Sequence, residues 1–179
     1  MQAEATQDYI IQGQFRVSRE TDGVLTTLLG SCVAACIWDP LLKIGGMNHF
    51  LLPGETDAQF RSSERYGVHL MELLVNALLR EGASKSRLNA KLFGGANMNS
   101  ALADIGARNA EFARNFLTNE GITYLGGSLG GEQARKVQFW PANGRARQMQ
   151  LPRDDQSFEK TRQPTPLPVP MTIGDVELF

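Results

Sequence analysis

Val24-Leu-Thr-Thr-Leu-Leu29, Val33-Ala-Ala-Cys-Ile-Trp38 and Ile44-Gly-Gly-Met-Asn-His-Phe-Leu-Leu52 follow one another in the chain, separated by Gly30-Ser31 and Asp39-Pro40 and closed by Pro53-Gly54. Each run has a strand's length, carries β-branched or aromatic residues, and stops at residues that turn the chain. Three successive strands are predicted. Upstream, Tyr9, Ile10, Ile11, Phe15 and Val17 offer one short edge strand before Arg19-Glu-Thr-Asp-Gly23. Downstream the period changes: Val68, Met71, Leu74, Val75 and Leu78 recur at intervals of three and four, and Gly82 follows as a C-terminal cap would. The spacing predicts a helix over 66–82.

Leu88 to Phe93 reads as a further strand running into Gly94-Gly95, and Ala110, Ala113 and Leu117 give a second helix over 109–120. Ile122 to Leu125 is another strand. Arg135 to Trp140 and Ala146 to Leu151 flank Pro141-Ala-Asn-Gly144, whose Asn-Gly tolerates positive φ and signals a hairpin. Strands and helices are mixed rather than strictly alternating. The predicted fold is therefore an α/β (α+β) sandwich, a mixed, largely antiparallel sheet covered by two main helices, and not a doubly wound nucleotide fold. After Leu151, Pro164, Pro166, Pro168 and Pro170 recur at every second residue and cannot donate into a ladder. The chain thus divides into an N-terminal edge segment (1–20), one domain (21–152) and a proline-rich C-terminal tail (153–179).

The 179 residues correspond to one domain with appendages, and 42% apolar residues supply a core without metal or disulfide staples. Eighteen Lys and Arg against nineteen Asp and Glu leave a net charge of −1, which argues against nucleic-acid binding. Two cysteines make no disulfide framework. The first residues, Met1-Gln-Ala-Glu-Ala-Thr-Gln-Asp, lack the basic start and apolar run of a signal peptide, and no stretch approaches the ~20 apolar residues of a membrane span. A cytoplasmic protein with no membrane insertion is expected.

Both cysteines and one of the two histidines fall within residues 26–53. On an extended run Cys32 and Cys36 stand roughly 13 Å apart at ~3.3 Å per residue, too far for a disulfide. The same separation argues against zinc held by Cys32, Cys36, His49 and His69. Cys36, between Ala35 and Ile37, reads as a small buried hydrophobe, and His69 as a surface or packing residue of the first helix. Cys32 differs, because it follows Gly30-Ser31 at a strand entrance, where backbone N–H groups are available to a developing oxyanion. A cysteine nucleophile needs a base, since a thiol of pKa ~8.5 is only slightly ionised at neutral pH. An antiparallel return through Asp39-Pro40 brings His49 back beside Cys32, and the hydroxyl of Thr26 or Thr27 is available to orient the imidazole. Asn97 and Asn99 are candidates to orient a substrate amide. Phe93-Gly-Gly-Ala and Gly126 to Gly131 lack the phosphate-loop lysine and the GxGxxG spacing, so nucleotide binding is not expected.

Leu28-Leu-Gly-Ser-Cys-Val-Ala-Ala-Cys-Ile-Trp-Asp-Pro40, Lys43-Ile-Gly-Gly-Met-Asn-His-Phe-Leu-Leu-Pro53, Lys91-Leu-Phe-Gly-Gly-Ala-Asn-Met98, Ile105-Gly-Ala-Arg-Asn109 and Arg135-Lys-Val-Gln-Phe139 resemble, in this order, the chemoreceptor glutamine deamidase family, CheD. The likeness spans residues 20–151. It implies a CheD-like sandwich related to the catalytic domains of toxins that deamidate glutamine, and a cysteine–histidine–threonine triad that carries over to Cys32, His49 and Thr26, with Thr27 the less favoured third member. It also implies that residues 21–152 are a deamidase domain that attacks receptor glutamines through a thioester. Gly30, Ser31 and Asn97 would serve the oxyanion and the substrate amide, and no cofactor would be needed. One position departs from the pattern: where many members carry an acidic residue near 128, this chain reads Gly126-Gly-Ser-Leu-Gly-Gly131.

The implied partners are the cytoplasmic helices of methyl-accepting chemoreceptors and a CheC-type phosphatase. Two other readings compete: a regulatory binding module for such a phosphatase or receptor without turnover, and a cysteine protease or transglutaminase-like acyl transferase, which would use the same thioester differently.

Overall fold

Every residue of Val33–Asp39 is buried, and a strand apolar on both faces must be covered on both. In the computed structural model, which describes residues 6–52, 57–98 and 103–152, the chain runs β1 (Gln7–Tyr9), β2 (Phe15–Ser18), β3 (Val24–Leu29), β4 (Val33–Asp39), β5 (Ile44–Asn48), α1 (Asp57–Arg80), β6 (Asn89–Gly94), α2 (Ala103–Asn119), β7 (Thr123–Leu129), β8 (Arg135–Trp140) and β9 (Arg145–Gln150). The strands form two sheets, ordered β2-β5-β4-β6-β7 and β1-β3-β8-β9. Only β1 with β3 and β6 with β7 pair in parallel. The α+β class, the largely antiparallel pairing and the two covering helices agree with the sequence reading, while the single sheet read there is resolved into two.

Alternation along β4 explains the layering. Val33, Ala35 and Ile37 face the helices, packing with Leu70, Met71, Leu74 and Leu78 of α1 and with Phe112, Ala113 and Phe116 of α2. Ala34, Cys36 and Trp38 face the other way, into a second core with Leu25, Leu29, Val137 and Phe139 of the four-stranded sheet. Each large side chain so buried contributes ~1.5–3 kcal/mol. The helices thus lie on one face of the central sheet and the second sheet on the other.

Asp39 ends β4. Its fully buried carboxylate receives Nε and Nη2 of Arg87 and the backbone N–H groups of Ser84, Leu41 and Leu42. Burial alone would raise this carboxyl, but these donors outweigh it and hold it at about 2.

Four boundaries differ from the sequence reading by more than a residue or two. Strand β7 runs on past Leu125 to Leu129, because its pairing with β6 resumes at Gly127 after a register shift. Helix α1 begins nine residues before Tyr66 because its first turns expose Arg61, Ser62 and Arg65 and carry no apolar stripe. Helix α2 likewise begins before Asn109. Strand β5 stops at Asn48 rather than Leu52, since the Asn48 side chain takes the Ala35 N–H at 3.0 Å in place of a ladder carbonyl. Pairing resumes only as a bridge between Val33 and Phe50. The N-terminal segment forms two short strands, one at the edge of each sheet. The proline-rich tail and Asn99 lie outside the described residues.

Candidate active site

The Val33–Phe50 bridge and the Cys36–Met47 pair share one register, which sets His49 across from Ala34 and on the face turned toward the second sheet. Cys32, two residues before Ala34, belongs to that face and packs against the intersheet core. It is half-buried. The two residues are thus diagonal neighbours across the end of the β4–β5 pair, where Cα atoms lie ~7–8 Å apart and side chains come within reach. The antiparallel return through Asp39-Pro40 therefore carries His49 back to the end and face of the sheet that bear Cys32.

The hydroxyl that meets the His49 ring is that of Thr27. It lies 2.8 Å from Nδ1 of His49 and donates to the carbonyl of Ile10 at 2.6 Å. Thr26, to which the family resemblance carried the third place in the triad, lies on the opposite face of β3 and accepts from Nε2 of Gln7 at 3.0 Å. The cause is strand alternation: Leu25, Thr27 and Leu29 point into the space between the sheets, and Thr26 points away.

This contact determines the tautomer. A threonine hydroxyl has one proton, and that of Thr27 goes to Ile10, so at His49 the oxygen accepts and Nδ1 carries the hydrogen. The Ile10 carbonyl, 3.4 Å from Nδ1, is an acceptor only and requires the same. Nε2 is left with its lone pair. It is buried and without a hydrogen-bond partner among the described residues, an arrangement that costs stability unless the atom is used. Burial lowers the His49 imidazole to about 4, against the opposing pull of the Ile10 carbonyl. The ring is neutral at physiological pH and basic at Nε2.

That depressed value links to stability. Unfolded His49 titrates near 6.5, so the native state binds this proton less readily, and stability is full above that pH and lost as pH falls toward 4. A loss of ~3 kcal/mol is expected between about pH 7 and pH 4. Urea denaturation at the two ends of this range should show a drop smaller by that amount in His49→Asn. An equal drop in both proteins would contradict a buried neutral ring.

Three glycine-containing loops build the floor beneath Cys32. The N–H of Gly95 binds the carbonyl of Cys32 at 2.7 Å, and the N–H of Ala96 binds that of Gly30 at 2.8 Å. Gly94, at φ 107, approaches so closely that a Cβ would stand 2.0 Å from the Cys32 oxygen. In turn Gly130 donates to Gly94, and Asn97 donates to Gly131. Arg135, almost wholly buried, braces the outer loop through Ser128 and the carbonyl of Gly130. The side chain at the departing position, Ser128, accepts from both Arg135 and Gln148. Asn97 itself is exposed on this rim.

The turn between β1 and β2 was not anticipated as part of the site. Besides Ile10, it supplies Gly13, whose N–H binds the His49 carbonyl at 2.8 Å, and Gln14, whose carbonyl takes the His49 N–H at 3.0 Å. Gln12 lies with Oε1 3.8 Å from Sγ of Cys32. Gly13 between two short apolar stretches was the only sequence signal for it.

Cys36 stands apart from these residues. It is fully buried in the intersheet core, and burial pushes its thiol up, outweighing the nearby Lys91 charge. His69 is exposed on α1.

A partly accessible thiol diagonal to a neutral, oriented imidazole on a two-sheet α+β scaffold defines a cysteine–histidine site suited to acyl chemistry. Residues 51–150 match the family model described as CheD chemotactic sensory transduction. A protein of Acidiphilium cryptum named probable chemoreceptor glutamine deamidase CheD is 51% identical over 186 residues, covering 99% of this chain and 98% of that protein. Proteins of the same name from Agrobacterium fabrum and Caulobacter vibrioides are 47% and 49% identical, covering 100% and 98% of this chain and 99% and 94% of theirs. The chain belongs to the CheD family, and the resemblance read from its motifs is borne out. Among solved structures, a Neisseria meningitidis protein of family-model DUF152 is similar with a TM-score of 0.46, at 10% identity over 78% of this chain and 76% of that one. No helix among the described residues is long and apolar enough to cross a membrane.

Proposed function

We propose that the chain is a chemoreceptor glutamine deamidase in which Cys32 is the nucleophile, His49 the base and Thr27 the residue that orients it. The observation that carries the reading is the buried Nε2 of His49, without a partner among the described residues and left with its lone pair by the Thr27 contact at Nδ1, on the face that bears Cys32. The names of the relatives support the substrate, glutamines of chemoreceptors, and the reading places those glutamines on the receptors' cytoplasmic helices.

Nε2 takes the Cys32 proton as sulfur attacks the carboxamide carbon of a receptor glutamine. The carbonyl π electrons move to oxygen. A trans peptide points its C=O and N–H in opposite directions, so with the Gly30 carbonyl turned to Ala96, the Ser31 N–H is aimed away from that loop. Together with the Cys32 N–H it serves the oxyanion, a contribution of ~10²–10³ per donor. Collapse breaks the C–N bond, and the imidazolium returns its proton to the departing ammonia. Water then gives a proton to Nε2 and attacks the thioester, releasing glutamate and the thiol. Overall one water is consumed and one ammonia released per glutamine. Asn97, exposed on the rim two residues beyond Gly95, positions the incoming amide.

The test is incubation with a cytoplasmic chemoreceptor fragment, following released ammonia and the glutamine-to-glutamate mass change by peptide mapping. Conversion with an intact receptor backbone is expected. Backbone cleavage would indicate a protease, and binding without conversion a regulatory module.

A further inference from the structure

We propose that Gln12 is a further catalytic residue, its side-chain carboxamide donating to the oxyanion that forms when Cys32 attacks. The proposal rests on the glutamine deamidase reading above and extends the donor set beyond the backbone. The geometry is specific. Gln12 is half-buried, and its carboxamide lies on the sulfur, with Cys32 Sγ donating to Oε1 at 3.8 Å.

The turn that carries Gln12 is fixed on both sides. Ile10 N–H binds the carbonyl of Thr26 at 2.8 Å in one sheet, and Gly13 N–H binds that of His49 at 2.8 Å in the other. Gly13 takes φ 86, a conformation open to glycine at low cost. Gln12 is therefore anchored by the same backbone that orients the base.

In the resting state the thiol donates and Oε1 accepts. Once the proton has passed to His49, negative charge builds first on sulfur and then on the substrate oxygen bonded to the attacked carbon. An acceptor there becomes repulsive. The terminal torsion of a glutamine is soft and roughly two-fold, so a half-turn replaces Oε1 with Nε2 and presents an N–H to the charge. The donor then makes a contact in the transition state that the ground state lacks, which is the condition for accelerating the step.

The test compares wild type with Gln12→Ala, Gln12→Asn and Gln12→Glu. A short peptide bearing the γ-aldehyde of glutamate adds to Cys32 as a hemithioacetal, placing an oxygen where the oxyanion forms, and its affinity is measured without any receptor. Iodoacetamide alkylation of Cys32 forms no such oxygen and serves as the control. Gln12→Ala is expected to weaken aldehyde binding and lower kcat on the receptor by ~10²-fold each, with alkylation changed less than about twofold. Gln12→Asn should fall between, and Gln12→Glu should lose more as its carboxylate ionises with rising pH. Unchanged aldehyde affinity in Gln12→Ala would overturn the proposal whatever the receptor assay shows. So would a rise in both aldehyde binding and alkylation, which would mark Gln12 as a gate over the thiol. A wild type that binds the aldehyde through Gln12 yet converts no receptor glutamine would contradict the substrate reading and leave the oxyanion role supported.

Discussion

Replacing Cys32 with alanine is expected to lower glutamine deamidation by at least ~10⁴-fold, while Cys36→Ala retains turnover within a few-fold. The two thiols are four residues apart and share one face, yet their surroundings oppose each other. Cys32 precedes β4, is partly accessible, and sits on a loop whose carbonyls are tied down by Gly95 and Ala96. Without its sulfur no thioester forms, and water would have to attack an unactivated amide. Cys36 lies inside the intersheet core with its thiol raised by burial, so it is neither ionised nor reachable. Its removal leaves a small cavity costing roughly 1–2 kcal/mol, visible in denaturation rather than in kcat. Retained activity in Cys32→Ala, or lost activity in a folded Cys36→Ala, would exclude Cys32 as the nucleophile.

Much of this site was legible in the sequence, and the exceptions have physical causes. The strands containing Cys32's neighbours and His49 announced themselves through apolar runs cut by Gly30-Ser31 and Asp39-Pro40, and an antiparallel return then brings Ala34 opposite His49. The division into two sheets was not legible, because β4 is apolar on both faces and its pattern reports burial without saying what covers each side. From the residues alone Thr26 and Thr27 were inseparable for a related reason, and the resemblance favoured Thr26. Both are fully or almost fully buried, so β3 shows no polar–apolar alternation to reveal which hydroxyl faces the base. Gln12 was missed because β1 and β2 are short and partly exposed, and their turn gains its place only when one strand joins each sheet.

Thr27→Val is the second substitution with a large expected effect. Valine fills the same space but has no hydroxyl, so Nδ1 of His49 keeps only the Ile10 carbonyl at 3.4 Å, and nothing firm holds the tautomer that leaves Nε2 basic. Disturbing an orienting residue of this kind lowers kcat sharply without removing the nucleophile. A fall of ~10²-fold is expected, with Thr27→Ser restoring most of it, since serine supplies the same oxygen. Thr26→Val removes a hydroxyl that bonds Gln7 on the other face of the strand, and its kcat should stay within a few-fold of wild type. The direct measurement is therefore kcat for receptor deamidation by Thr27→Val and Thr26→Val, both assayed well below their melting temperatures. A large loss confined to Thr27→Val is the result expected from an imidazole oriented by that hydroxyl; a larger loss in Thr26→Val, or equal losses in the two, would contradict it.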